Sequence, residues 1–546
     1  MAVGHEPLTI PVRWPPSLAA GMAALAAIAI LVCGALLGLL MAAARDPGGA
    51  AAAFDTYLLR IARFTVWQAL LSTFLSVVPA VFVARALFRH PQFLGRGLIL
   101  RLFALPLALP AIVAVLGLLA LFGRAGLLAD LWILSGGRGW FSIYGLPGIL
   151  VAHVFFNLPL ATRLLLAALE TVPPEQWRLA SQLGFGLRDT FRFIEWPAMR
   201  PTLAAAASLV FMLCATSFTI VLTLGGGPAA TTLEVAIYQA LRFDFDPARA
   251  VVLTLVQLAL IAAIVALIGL SGFSGGWGNL APAHVPRRPL AVGRTETVIN
   301  AAFVSLACLF VAGPMLAIAL SGLKADLVRL AADPAVRQAT VTSIGLGLAA
   351  ALISVTLSLA LVAARHALEV RRGAARPGLL ESLLGTGSSL VLVVPPFVLG
   401  AGWFMLLHAH ADVFALAPLM VVAVNAVMAM PFAVRALRPA HDAAARRHDR
   451  LCAALGIRGL ARFRLIDWPV LRRSLATALA FAMALSLGDL GVIALFGSDA
   501  VQTLPYLLLL RMGSYRTADA AGLALMLGLL CLLMMALAER LGREAS

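Results

Sequence analysis

Apolar residues run along this chain in blocks of about 20 or more, long enough for a helix to cross hydrocarbon, and the charged residues gather in the segments between them. The first block, from about Ser17 to Ala44, exceeds the roughly 7–15 residues of a signal-peptide core and predicts an uncleaved membrane helix. Further spans are expected near Ile61–Ala84, Leu98–Phe122, Gly145–Leu166, Thr202–Leu224 and Ala248–Leu270, which makes six. A second set is expected near Val298–Ser321, Thr340–Ala364, Ser382–His408, Phe414–Val434, Leu475–Phe496 and Ala518–Leu537, for about twelve in all. The pattern divides the chain into a tail (1–16), a first half (17–270), a Gly- and Pro-rich linker (271–297) and a second half (298–546).

The longest polar interruption is Arg435–Arg473, with ten arginines against three acids, too charged for the bilayer. Within it, Asp449–Leu455 predicts a short helix ended by Gly456 in the left-handed conformation, and Leu460, Phe463 and Ile466 give a second apolar stripe before Pro469. The same plan recurs in the first half. Placing Gly184 on Gly456 brings Pro159 onto Pro431, Arg163 onto Arg435, Phe191 onto Phe463, Ile194 onto Ile466, Trp196 onto Trp468 and Pro197 onto Pro469, with no gap. Two related halves, each with a helix–turn–helix projection outside the bilayer, follow from that register. The projections are expected to expose Trp177, Leu179, Leu451 and Leu455 to a partner.

Charge sets the orientation. Arg85, Arg89, Arg96 and Arg101, the linker arginines Arg287, Arg288 and Arg294, and Arg365, Arg371, Arg372 and Arg376 mark cytoplasmic connections, which places both termini inside. The opposite connections carry few or balanced charges, among them Gly225–Pro247 and Gly497–Thr517. There the matching segments Thr232–Leu241 and Thr503–Met512 are expected to form short gate helices facing an outer partner.

Composition agrees with a polytopic membrane protein: 62% hydrophobic, 12% charged, mean hydropathy +0.98. The formal charge of +16 is topological rather than nucleic-acid-binding, since the arginines sit in short segments beside apolar runs. The five cysteines have no CxxC neighbour and predict no disulfide framework and no metal site. No GxxxxGK[ST], HExxH or GxSxG occurs, and the nine histidines are scattered, so neither ATP hydrolysis nor an integral-membrane transferase has a constellation to rest on. Asp489 is the sharpest intramembrane polar residue, with Ser217 at the equivalent place in the other half and Asn157 and Asn425 in second rank.

The spacing Gly, nine residues, Ile-x-x-Pro at Gly184–Pro197 and Gly456–Pro469 resembles the EAA loop of binding-protein-dependent ABC permeases. Arg178, Leu179 and Ala180, and Arg450, Leu451 and Cys452, stand where that loop opens with Glu-Ala-Ala. The stretches AHVFFNLPLATRLLLAALE, LGGGPAATTLEVAIYQALRFDFDPARA and SLGDLGVIALFGSDAVQTLPYLLLLRMGSYRTADAA narrow the resemblance to thiamine and thiamine pyrophosphate ABC permeases, and at lower specificity to fused iron(III) permeases. The resemblance implies an all-α permease in the bacterial inner membrane with a five-helix core in each half. It implies a periplasmic thiamine-binding protein, and a separate ATPase pair that binds ATP and magnesium. Glu175, Trp177, Arg178, Ala180, Gly184, Ile194 and Pro197, with Arg450, Leu451, Gly456, Ile466 and Pro469, are then the expected ATPase-coupling residues. An iron(III) or other small-solute permease is the near alternative, and a channel acting without an ATPase a further one.

Overall fold

The computed structural model describes residues 16–270, 293–372, 378–391, 394–408, 412–457, 459–498, 501–514 and 516–543, and all regular structure among them is helical. The predicted tail and most of the linker lie outside the described residues. The first half contributes α1 (Pro16–Arg45), α2 (Thr56–Arg89), α3 (Ala111–Phe122), α4 (Leu146–Glu170), α5 (Pro174–Gln182), α6 (Trp196–Ala215), α7 (Phe218–Leu224), α8 (Leu233–Arg242) and α9 (Pro247–Leu270). The second contributes α10 (Arg294–Leu323), α11 (Pro334–Arg372), α12 (Leu379–Leu390), α13 (Pro396–His408), α14 (Ala417–Ala454), α15 (Trp468–Leu487), α16 (Gly491–Phe496), α17 (Leu504–Gly513) and α18 (Thr517–Arg543).

Eleven helical segments among the described residues are long and apolar enough to cross a membrane, one fewer than the hydropathy pattern predicts. The difference is the expected Ser382–His408 span, which is divided into α12 and α13 at Pro395 and Pro396. Leu98–Phe122 is interrupted in the same way. Short helical pieces precede Pro110, and α3 begins behind it with Pro110 in an extended conformation. Proline has no N–H to give a preceding turn and its ring crowds that turn's carbonyl, so an apolar run containing one near its middle need not be one helix. The expected spans Thr202–Leu224 and Leu475–Phe496 are broken as well, at Thr216–Ser217 between α6 and α7 and at Gly488–Leu490 between α15 and α16.

The halves are not side by side. Helix α1 packs chiefly on α11 and α13 of the second half, and α10 packs on α2 and α3 of the first, so each half lends its opening helix to the other. Small residues make this possible. A Cβ on Gly38 would lie 2.2 Å from the Gly402 carbonyl oxygen, one on Gly402 2.2 Å from that of Ala35, and one on Gly117 2.5 Å from that of Pro314. Backbones that meet this closely gain dispersion contacts that larger side chains would prevent. The Trp403 indole N–H then donates to the Leu31 carbonyl at 2.8 Å, a part-buried hydrogen bond between halves. Because α1 and α10 are exchanged, what remains of each half is a compact set around α2, α4 and α6 or around α11, α14 and α15.

Gly402→Leu is expected to force α1 off α13 and to destabilise the protein by about 1–3 kcal/mol, the usual range for overpacking. Thermal unfolding of the purified protein in detergent measures it, with Gly97→Leu, where a Cβ meets nothing within 4 Å, as the control. Equal melting temperatures for the two variants would contradict the exchanged packing.

Candidate functional site

Two regions gather the polar chemistry, the repeated loops and the seam between the halves. In the first loop, α4 ends before Pro173 and Pro174, and α5 starts at Pro174 as a separate helix. Gly184 follows with φ +67°, and Gly456 in the second loop has the same φ. A Cβ would meet nothing within 4 Å at either position, so the glycines serve the left-handed backbone and not a close approach. In the second loop the expected separate helix Asp449–Leu455 is instead the end of α14, which runs without interruption to Ala454. The reason is local: Ala445 and Arg446 occupy the places of Pro173 and Pro174, and nothing there stops the helix.

The prolines after the loops stand at the start of the next helices. Pro197 and Pro469 do not end a helix; each sits at the second residue of α6 or α15, and the turns before them, Phe191–Glu195 and Phe463–Asp467, are π-helical. The Trp196 and Trp468 N–H groups reach back five residues to the Phe191 and Phe463 carbonyls. The wider turn carries the chain past a residue that offers no donor.

The loop surface is narrower than the sequence predicts. Leu179, Leu451 and Leu455 are exposed, as are Glu175, Arg178 and Arg450. Trp177 is only 2% exposed, packed against Phe88 of α2 with ring centroids 5.3 Å apart. Ala180 and Ile194 are buried beside it, whereas Ile466 is half-buried and Pro197 and Pro469 are exposed. Thus Trp177 anchors the loop to the bundle and leaves Leu179 to face outward. The side chain of Leu460 lies outside the described residues.

Sequence reasoning missed the strongest interaction here. Glu195, fully buried in the first π turn, accepts from Arg85 Nε at 2.6 Å and Arg89 Nε at 2.9 Å, and Arg89 pairs in addition with Glu296 of α10. The Arg85 guanidinium lies over the Phe191 ring at 4.7 Å. One acid therefore joins the loop, α2 and the exchanged helix of the other half. Its counterpart Asp467 meets Arg462 of its own loop at 3.5 Å, and the second loop is held instead by Asp449, which bonds Arg462 and His366 of α11 at 2.7 Å each. Position 195 carrying an acid in register with Asp467 was the available signal; its partners, over a hundred residues away, were not.

In the seam, the helix breaks pair crosswise. The α15–α16 break brings Gly488 against Pro110, where a Cβ would lie 3.3 Å from the Pro110 Cα, beside an apolar cavity of about 140 Å³ lined by Leu107, Ala111, Phe481 and Leu485 among others. The α6–α7 break brings Phe218 onto Phe397, the second residue of α13. Asp489 is thus not within a helix: its Oδ1 accepts from the Gly491 N–H at 3.1 Å and steadies the start of α16. Ser217 precedes α7 without a side-chain cap. Asn425 donates to Ser486 Oγ at 3.0 Å. Asn157 donates to the His153 carbonyl at 2.9 Å and approaches Cys214 Sγ at 3.4 Å, which ties α4 to α6. Asp489, Asn425 and Ser486 are gathered at one break; Asn157 belongs to helix packing in the first half.

Both short helices after the seam form within one residue of expectation, as α8 and α17. Their first N–H groups, on Leu233 and Leu504, donate to Thr65 Oγ1 of α2 at 3.1 Å and Ser343 Oγ of α11 at 2.7 Å. Helix α8 is buried along most of its length, whereas α17 is buried at Leu504, Pro505, Leu507 and Leu508.

Breaking the buried acid should weigh far more in one loop than in the other. Glu195→Gln is expected to cost about 3–5 kcal/mol, since it leaves the buried Arg89 and the half-buried Arg85 beside an uncharged group, whereas Asp467→Asn, with a longer and partly exposed pair, should cost under about 1 kcal/mol. Detergent melting curves of the two variants test the asymmetry, and equal shifts would refute it.

The model of the binding-protein-dependent transport system inner membrane component matches this chain twice, over residues 76–274 and 372–546. The thiamine transport system permease protein of Brucella abortus (strain 2308) is 58% identical over 521 residues, covering 95% of this chain and 94% of that protein. The proteins of the same name from Salmonella typhimurium (strain LT2) and Escherichia coli (strain K12) are each 42% identical, covering 100% and 99% of this chain and 99% and 98% of their own lengths. With two matched halves, an all-α membrane body and relatives aligned end to end, the chain belongs to the family of binding-protein-dependent transport system inner membrane components.

Proposed function

We propose that this chain is the permease subunit of an ABC importer that moves thiamine and its phosphates from periplasm to cytoplasm. The full-length likeness to thiamine permeases supports the substrate, and the pair of Gly184- and Gly456-centred loops supports the coupling. Two equivalent projections suit a motor with two equivalent domains. ATP and magnesium are held by that separate ATPase pair, and both termini of this chain face the cytoplasm with the loops, as the arginine distribution requires.

Coupling runs through rigid elements. The ATPase domains dock on Leu179, Arg178 and Glu175 in one loop and on Leu451, Leu455 and Arg450 in the other. When they close, the first loop pulls α2 and α10 together through Glu195, and the second moves α14, which runs from its span into its loop as one helix with Pro439 between the two. Substrate released by a periplasmic thiamine-binding protein then passes the seam beside Asp489. Transport of iron(III) or another small solute is the reading that the same architecture would serve with a different binding protein.

Membrane vesicles holding this chain with its ATPase and binding protein should take up labelled thiamine when ATP is supplied, and should stop when either partner is omitted. Iron(III) is the comparison cargo. ATP hydrolysis without thiamine uptake would leave the coupling argument standing and remove the substrate assignment. Uptake without any ATPase would indicate a channel.

A further inference from the structure

Resting on the reading of this chain as a thiamine permease, we infer that the seam holds a transient subsite for a planar heteroaromatic cation, formed by Phe218, Phe397 and Tyr238 with Asp489 as counter-charge. The three aromatic residues come from both halves. Phe218 of α7 and Phe397 of α13 stack with centroids 4.7 Å apart and planes 24° from parallel, and Tyr238 of α8 stands edge-on to both, at 5.4 and 6.4 Å. All three are nearly fully buried. The carboxylate converges on the same place: the position of a Cβ on Gly491 is 3.6 Å from Asp489 Oδ1, 3.8 Å from the Phe397 ring and 3.9 Å from the Phe218 ring. Asp489 Oδ2 is buried with no full hydrogen bond, the neighbouring Asn425 amide being turned to Ser486 Oγ.

An acid in an apolar seam costs free energy unless hydrogen bonds or a cation meet it. Oδ1 is met by backbone N–H groups at the start of α16, Oδ2 is left over, and among the described residues no arginine pairs with the group. The faces of aromatic rings carry negative potential, so two of them and a carboxylate suit a flat cation. The stack closes the seam in the present conformation. Rocking of the halves about the seam parts Phe218 from Phe397 and opens a slot in which a thiazolium-like ring replaces each as the partner of the other. Tyr238 lies on the buried helix α8, whose Arg242 also donates to the Gly497 carbonyl across the seam at 3.2 Å, so slot and outer gate move together. Gly491 leaves the space between the carboxylate and the two rings free of a side chain. The subsite is asymmetric, because Ser217 stands at the place of Asp489 and Leu490 at that of Phe218.

The reconstituted complex of this chain, its ATPase and the loaded binding protein tests the subsite by the ratio of thiamine taken up to ATP hydrolysed. Phe218→Leu and Phe397→Leu keep apolar bulk and remove the ring faces; Asp489→Asn keeps shape and removes charge. Each is expected to lower uptake at least fivefold while hydrolysis stays within twofold of wild type, and Asp489→Glu should restore at least half of the lost uptake. Uptake within twofold of wild type in Asp489→Asn or in either leucine variant overturns the subsite and leaves the importer reading intact. A parallel fall of uptake and hydrolysis marks these residues as structural and overturns it too, whereas a wild-type complex that moves no thiamine overturns both. Co-elution with the ATPase reports assembly, and should a leucine variant not assemble, the isosteric Asp489→Asn decides alone.

Discussion

Hydrocarbon offers no hydrogen-bonding partner, so every break in a membrane helix must be satisfied by the protein itself. Among the described residues, the breaks at Pro110, Thr216–Ser217, Pro395–Pro396 and Gly488–Leu490 meet the constraint by turning toward one another across the seam. The third-span break of each half faces the fifth-span break of the other. There the backbone is irregular, polar side chains such as Asp489 and Asn425 are retained, and helices pivot most easily.

The exchange of α1 and α10 follows from the same arrangement. With broken spans gathered at the centre, the continuous, uniformly apolar helices are left for the outside, where each covers the broken helices of the opposite half. Gly38, Gly402 and Gly117 allow these contacts at backbone distance. The outcome is two halves that cannot separate without also pulling α1 and α10 from their partners, which suits a body that rocks about a central seam rather than one that comes apart.

The loops illustrate how a repeat diverges under a common load. Both retain the left-handed glycine, the π turn and the tryptophan–proline pair, which together redirect the chain into α6 and α15. What differs is how each loop is moored. The first is a separate helix clamped through Glu195 to α2 and α10; the second is a continuation of α14 braced by Asp449 and His366. The first mooring thus spans three helices, whereas the second rests on one long helix and its brace to α11.

Sequence alone determined the membrane class, the twofold register, the positions of Gly184 and Gly456 and the bounds of α8 and α17, because hydrophobic length, left-handed glycine and repeat spacing are local properties written residue by residue. It also pointed to Asp489, since an acid in an apolar run stands out without any knowledge of its neighbours. Only the tertiary structure decided that Trp177 is buried, that α14 runs through its loop, that Pro197 and Pro469 sit behind π turns, and that opening helices are exchanged. Each of these depends on which distant surface lies opposite: Phe88 for Trp177, Arg85 and Arg89 for Glu195, Gly402 for Gly38, Phe397 for Phe218. In lipid, one apolar helix face is chemically much like another, and hydropathy carries no information about which two will meet; steric fit at glycine, pairing of buried charge and ring stacking choose between them.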